Sequence, residues 1–456
     1  MSNKLELTFN DGVDSVTGAN FVLRDDAGFT IMFDCGLVQG SQVAEDQNYD
    51  KFPFDPTKVD FLFVSHAHLD HIGRIPKLVK EGFRGRIIST PPTKEIAELM
   101  LIDSMGVLEK EARGTNREQL YTADDVAKSM SLWDTRGYHE EFSAGKFRVL
   151  LKDAGHILGS SMTEISLGGK KLLYTGDLGN SPEPLLRDTE PVGDVDYLIM
   201  ESVYGDRLHE HREDRQRMLA DVVMQTFNKK ANLMIPVFSL ERTQELLFEL
   251  RMMVENGLLP PVPVYLDSPL AIKVTSVYNK YTDYLNVDAM RKLTGGKDLF
   301  GYRWIHKVID TEESKKLREL PGPKIIMAGS GMSNGGRIIH HEKNYLPDPN
   351  NTLLLVGYQA VRTLGRILQD GAKHVKILGE DVPVNARVLT ISGYSAHRDR
   401  DGLFDFVAGG VDTLERVFVA MGEPKSSLYL VQRIRDNLGL NAESPTRGET
   451  VSLDFN

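Results

Sequence analysis

Between His66 and His71 the chain places four side chains that bind metal ions: His66, His68, Asp70 and His71. They stand directly behind Phe61–Val64, a wholly apolar run that suits a strand buried on both faces. Residues two apart at a strand end project the same way, so His66 and His68 can grip one ion. Asp70 and His71, after a turn, can face a second ion close by. Imidazole suits zinc and other first-row metals, and a carboxylate widens the choice to manganese or iron. One histidine in a polar loop is ordinarily a satisfied structural group. HxHxDH directly behind an apolar strand is a metal site.

Further ligand-type residues follow strand-like runs. Lys146–Leu151 delivers His156 in DAGHILGS, Lys170–Thr175 delivers Asp177 in YTGDLGN, and Asp196–Met200 delivers Glu201 in ESVYGDR. Display of functional groups by loops at strand ends is the usual arrangement in layered α/β proteins. Residues 4–35 read as short strands with turns between them, which predicts a mostly antiparallel opening sheet with Asp34 at the end of its third strand. Helices are expected over Ile72–Lys80, Lys94–Ala112 and Asp124–Trp133, the last opened by a capping box of Thr122 and Asp125.

From about Gly205 helices and strands alternate regularly: helix Arg212–Lys229, strand Leu233–Val237, helix Leu240–Glu255, strand Val262–Leu266, a helix capped by Ser268 with Pro269 behind it, then strands Lys324–Ala328 and Thr352–Val356. Strands separated by helices imply a parallel sheet and a separate doubly wound domain. Residues 282–320 carry no clear pattern. Beyond Val384 a strand at Val388–Ser392, a helix near Leu403–Val407, a strand at Val417–Ala420 and a helix within Ser426–Leu438 are expected.

A length of 456 residues suggests two domains or three small ones. The formal charge of −11 does not advertise a nucleic-acid partner, although a local basic groove is compatible with it. The single cysteine, Cys35, excludes an intramolecular disulfide and fits a reducing compartment. No apolar run reaches transmembrane length and no signal peptide opens the sequence, so a cytoplasmic protein without membrane contact is expected.

Taken together, FDCG, SHAHLDH, AGHILGS, TGDLG, ESVYGDR, GSGMSNGGR and the late SGYSAH resemble the metallo-β-lactamase-fold hydrolases. More narrowly, the whole chain is similar to the β-CASP nucleases, the group holding the mRNA 3′-end cleavage factor and its bacterial and archaeal relatives. The resemblance implies an αββα metallo-β-lactamase sandwich over residues 1–204 and 384–456, interrupted by a parallel-sheet β-CASP domain over 205–383. It implies that His66, His68 and His156 hold one divalent ion, that Asp70 and His71 hold a second, and that Asp177 bridges the two. Asp34 would orient site histidines from behind. His397 would give a proton to the leaving oxygen, held by Glu201, and Asp70, Glu201 and His397 are the catalytic candidates. Zinc is the expected metal, with manganese the alternative. Single-stranded RNA is the expected partner, cut in a cleft between the domains, and dimers are common among such relatives.

One position departs from the pattern. RNA-cleaving members carry a histidine in an HGE-type turn that completes the second metal site, and the matching stretch VFVAMGE has Met421 there. A thioether is a poor zinc or manganese ligand, so a weak second site is expected, with Met421 packed against the site wall. DNA-cleaving relatives carry valine at this place, so a DNA nuclease of the same mechanism is the alternative reading. A small-molecule metallo-hydrolase would leave the insert and the Glu201–His397 pair without a purpose. A non-catalytic RNA-binding subunit would be expected to have lost more ligands. For the substrate, the loop Gly329–Gly336 with Arg337 can cradle a phosphate, with Gly335 and Gly336 among its amides, or be a tight glycine turn, and Arg242 can reach a phosphate or make a surface ion pair.

Overall fold

A computed structural model describes residues 4–40, 42–115, 117–209, 212–292, 298–357, 359–360 and 362–456. The chain forms two compact units, Met1–Leu208 with His397–Asn456, and His209–Ala396.

The first unit holds two seven-stranded mixed sheets. One runs Glu449–Asp454, Lys4–Asp11, Asn20–Asp25, Thr30–Phe33, Phe61–Phe63, Arg86–Ser89, Trp133–Thr135. Its first four strands are antiparallel neighbours and the rest are parallel, so only the opening half matches the antiparallel expectation. The other runs Ala442–Glu443, Arg416–Val419, Tyr197–Met200, Lys170–Tyr174, Ser161–Leu167, Phe147–Asp153, Phe142–Ala144. Aromatic rings from both fill the space between the sheets: Phe9 lies 5.6 Å from Phe21 and 5.3 Å from Phe418, and Tyr174 lies 5.1 Å from Phe33. Offset and edge-on pairs at these separations add to the stabilisation from area burial alone. On the outer face of the second sheet, Leu173, Leu198 and Val417 pack against Phe406, Leu430 and Ile434 of helices Arg400–Ala408 and Pro424–Leu438. Helices Ile75–Lys80, Pro91–Thr115 and Ala123–Ser131 pack together beside the first sheet. The layers are therefore those of an αββα sandwich.

Local rules account for several boundaries. Thr122 accepts from the Asp125 amide and the Asp125 carboxylate accepts from the Thr122 amide, the reciprocal cap expected from the sequence. The helix expected over Ile72–Lys80 is two pieces, Leu69–Ile72 and Ile75–Lys80, the second restarting with Pro76 in its first turn.

The second unit is built on a six-stranded, all-parallel sheet in the order Ile305–Lys307, Val264–Asp267, Ile325–Ala328, Leu233–Pro236, Thr352–Val356, Arg387–Ile391. The strands IIMA, LMIP and TLLLV are buried along their whole length, as strands covered on both faces must be. Ser268 caps helix Pro269–Lys280 by accepting from the Ala271 amide. Within the unpatterned stretch 282–320, a short strand and small helices occur, and residues 293–297 lie outside the described ones.

The second compact unit spans His209–Ala396, against the expected 205–383. Arg387–Ile391 pairs in register with Thr352–Val356, so it is the edge strand of the parallel sheet, and the chain returns to the first unit at His397. Pro383, read as the close of the insert, ends a hairpin of His374–Ile377 with Glu380–Pro383 inside the second unit. Among the described residues, no helix is long and apolar enough to cross a membrane.

Glu342 is fully buried in this unit, with Ser333 Oγ 2.5 Å from its Oε1 and no hydrogen-bond partner on Oε2. Burial pushes its carboxyl up to about 8, only partly offset by the Ser333 bond. The folded unit thus keeps a proton that the unfolded chain releases above the ordinary value of 4.5, and the stability it contributes is lost between about pH 4.5 and 8. Calorimetry across that window is expected to show the wild-type transition of this unit falling with pH more steeply than that of Glu342→Gln.

Candidate metal centre

Parallel neighbours deliver the site residues at their carboxyl ends. Thr30–Phe33 delivers Asp34 and Phe61–Phe63 delivers Ser65 to His71. In the facing sheet, adjacent parallel strands Lys170–Tyr174, Tyr197–Met200 and Arg416–Val419 deliver Asp177, Glu201 and Met421, and Phe147–Asp153 leads to His156. Glycines let these loops approach. A Cβ on Gly36 would lie 1.5 Å from the Asp70 carbonyl oxygen, and one on Gly179 would lie 1.9 Å from that of Gly155. Both are clashes that no side-chain motion relieves.

Asp34 stands behind the site, fully buried with φ +54°. Its Oδ1 accepts from the Ser65 amide at 2.8 Å. Its Oδ2 accepts from Ser65 Oγ at 2.6 Å and Tyr174 OH at 2.5 Å, and lies 2.7 Å from His71 Nδ1. That contact holds a proton on Nδ1 and turns Nε2 to the site; burial disfavours the charged ring, but Asp177 and Asp34 outweigh it and raise the ring well above the usual imidazole range.

In front, nitrogen and oxygen atoms converge. His68 Nδ1 is 3.1 Å from His66 Nε2 and 3.3 Å from His156 Nε2. Asp177 Oδ2 is 3.3 Å from His66 Nε2 and 3.5 Å from His156 Nε2. A tetrahedron with centre-to-corner bonds of about 2.0–2.1 Å has edges of about 3.3–3.4 Å, so these atoms fit around one zinc-sized ion. Burial lowers the basicity of His66, His68 and His156, favouring the neutral rings that a cation binds. On the other side of the carboxylate, Asp177 Oδ1 is 3.3 Å from His71 Nε2, a buried nitrogen with no hydrogen-bond partner. Burial pushes Asp177 up, but His71, His66 and His397 hold it well below the usual carboxylate range. The half-buried Asp70 is raised by burial and opposed by His71.

Asp177, Glu201 and His397 form a second cluster that shares the same carboxylate. His397 Nδ1 is 3.3 Å from Glu201 Oε1 and 3.9 Å from Asp177 Oδ2. Glu201 is fully buried and accepts from the Leu178 amide at 2.6 Å. Burial disfavours a charged His397, but Glu201 and Asp177 outweigh it and raise the imidazole to about 9. At neutral pH the ring therefore keeps its proton.

Sequence reasoning missed Tyr174 and Ser65. Both sit directly beside recognised motifs, Ser65 before HAHLDH and Tyr174 before TGD, and that adjacency was the available signal. Met421 is fully buried in the core between the sheets, its Sδ 3.5 Å from Tyr174 OH.

The substrate candidates are arranged differently from expectation. Arg242 is buried and ion-paired with Glu245. Arg337 binds Asp267 at 2.6 Å and the Ile309 carbonyl at 2.7 Å. Carboxylates of their own unit engage both guanidiniums, so neither is turned to an open phosphate site. Gly335 accepts from the Ser330 amide, and Gly336, at φ +68°, has no room for a side chain against Gly329.

Family models agree with this geometry: the metallo-β-lactamase superfamily matches residues 15–208, the Beta-Casp domain 243–368, and the Zn-dependent metallo-hydrolase RNA specificity domain 381–445. Ribonuclease TTHA0252 of Thermus thermophilus is 36% identical over 96% of this chain and 95% of its own length. The chain belongs to the β-CASP metallo-β-lactamases. Transcription termination factor FttA of Methanosarcina mazei is 32% identical over 93% of this chain and 68% of its own length. Cleavage and polyadenylation specificity factor 73 of Drosophila melanogaster is 33% identical, and this β-CASP chain spans 57% of it. A solved structure of a protein of unknown function from Enterococcus faecalis superposes with a TM-score of 0.57 at 14% identity, covering 99% of this chain and all of that one, which shows the shared fold. The family is one of zinc-dependent metallo-hydrolases with a His/Asp cluster for metal binding.

Asp34→Asn is expected to weaken zinc binding by roughly 10–100-fold in chelator competition, because His71 loses the acceptor that sets its tautomer. Circular dichroism of the variant should show the same secondary structure with a lowered melting temperature.

Proposed function

We propose that this protein is a metal-dependent ribonuclease of RNA processing or decay that hydrolyses phosphodiester bonds in single-stranded RNA, by endonucleolytic or 5′ exonucleolytic cutting. The observation that carries this reading is the pair of side-chain clusters sharing Asp177, one a ligand set and the other a proton donor held by a carboxylate. Identity to a named ribonuclease over nearly the full length of both chains supports it, as does the match to an RNA specificity domain.

In this reading His66, His68 and His156 would hold one divalent ion, Asp70 and His71 would hold a second, and Asp177 would contribute its carboxylate to both. Bound ions supply Lewis-acid polarisation of the phosphate and a water acidic enough to attack at neutral pH. His397, kept protonated by Glu201, gives its proton to the departing oxygen. Asp34 keeps His71 in the tautomer whose Nε2 faces the site. Zinc is the leading metal and manganese the alternative. Met421 adds no hard ligand, so the second ion is held more weakly than the first.

Met421 also favours a second reading, a DNA nuclease of the same mechanism. The deciding experiment sets 5′-labelled single-stranded RNA beside DNA of the same sequence, with zinc or manganese supplied. Cleavage of RNA alone is expected, with Asp70→Ala folded and inactive. DNA cleavage at a comparable rate would promote the second reading, and activity in Asp70→Ala would sink the two-ion assignment.

His397→Ala is expected to lower kcat by about 10²–10⁴-fold while leaving the dissociation constant for RNA nearly unchanged. A proportional loss of binding would remove His397 from the proton-donor role.

A further inference from the structure

We infer that Phe238 is a stacking platform for an unpaired base of the substrate strand. The inference rests on the ribonuclease reading above and adds a binding subsite to it.

Phe238 is 40% exposed, among the described residues the one phenylalanine turned to solvent rather than at least partly packed away. It follows strand Leu233–Pro236, and Gly331 follows the neighbouring parallel strand Ile325–Ala328. Both therefore lie at the carboxyl end of the parallel sheet, where open α/β sheets bind their ligands.

The ring is seated on this glycine. A Cβ on Gly331 would lie 2.6 Å from both Cδ2 and Cε2 of Phe238 and 2.9 Å from Cγ. Three adjacent ring carbons at nearly equal distance place that point above the ring face, not beside its edge. The Gly331 backbone thus covers one face of the ring, and any side chain there would displace it. The seat is fixed in turn: the buried Gln359 donates to the Gly331 carbonyl at 3.1 Å, and the Gly365 amide donates to the Met332 carbonyl at 3.0 Å. On the other side, Thr243 Oγ1 donates to the Phe238 carbonyl at 2.6 Å.

An apolar ring covered on one face and 40% exposed gains nothing for the fold by that exposure. It matches the π-face of an unstacked nucleobase, which proteins that read single strands bind on such rings. The contact is tolerant of base identity, because every base offers the same face.

The test measures RNA affinity in metal-loaded His397→Ala protein, which binds without rapid cutting, with and without Phe238→Ala. The ligands are one single-stranded RNA, the same RNA with a single abasic ribose moved along it, and the corresponding duplex. Phe238→Ala is expected to weaken single-strand binding by about 5–150-fold. One abasic position should cost a comparable factor in the Phe238 protein and nothing in Phe238→Ala. Phe238→Trp should retain affinity, and duplex binding should not change. Unchanged single-strand affinity in Phe238→Ala, or an abasic penalty that persists in it, would overturn the platform. With His397 intact, hydrolysis of bis(p-nitrophenyl) phosphate should proceed equally with Phe238 and with Phe238→Ala. A wild-type protein that hydrolyses this diester but neither binds nor cuts RNA would overturn the ribonuclease reading itself.

Discussion

The architecture of the first unit turns on one buried carboxylate. Asp34 takes hydrogen bonds from the Ser65 amide, the Ser65 hydroxyl and the Tyr174 hydroxyl, and sits against the ring of His71. These partners come from both sheets of the sandwich, so a single anion ties the two layers together at the floor of the site. Burying such a charge is costly unless its lone pairs are satisfied, and here four contacts do so. The same contacts orient His71 and set its tautomer. Fold stability and ligand geometry are thus secured by one set of bonds.

Above that floor, Asp177 divides its two oxygens. Oδ2 faces the trio His66, His68 and His156, and Oδ1 faces the unpartnered Nε2 of His71. The arrangement requires loops to pass at backbone contact, which Gly36, Gly176 and Gly179 permit by having no side chain. At Gly176 an added Cβ would meet that of Ser65 at 2.4 Å. Glycine spacing in FDCG and TGDLG is therefore part of the ligand geometry as much as the histidines are.

Much of this was legible in the sequence because the chemistry is local. Four ligand-type residues stand within HAHLDH, and Asp177 and Glu201 each follow an apolar run that reads as a strand. The capping box at Thr122 needs only two residues, three apart. What stayed hidden depends on distant partners. Nothing in SLERTQ or GGRIIH says that Arg337 meets Asp267 from another strand end, so Arg337 reads as available charge and Arg242 as either a phosphate contact or an ion pair. Arg387–Ile391 has the composition of a strand in either unit, and only its register with Thr352–Val356 assigns it. Strand Glu449–Asp454 likewise takes its meaning from pairing with Lys4–Asp11.

The interruption of the first unit orders events during synthesis. His66, His68, His156 and Asp177 are all synthesised before the second unit begins, whereas His397 follows it. At elongation rates of about 5–20 residues per second, the intervening segment takes on the order of ten to forty seconds to make. On the roles proposed above, a nascent chain can take up metal during that interval while still lacking its proton donor. Inserting one domain into another thereby delays competence, and the message being translated is out of danger from its own product until nearly the whole chain has been made.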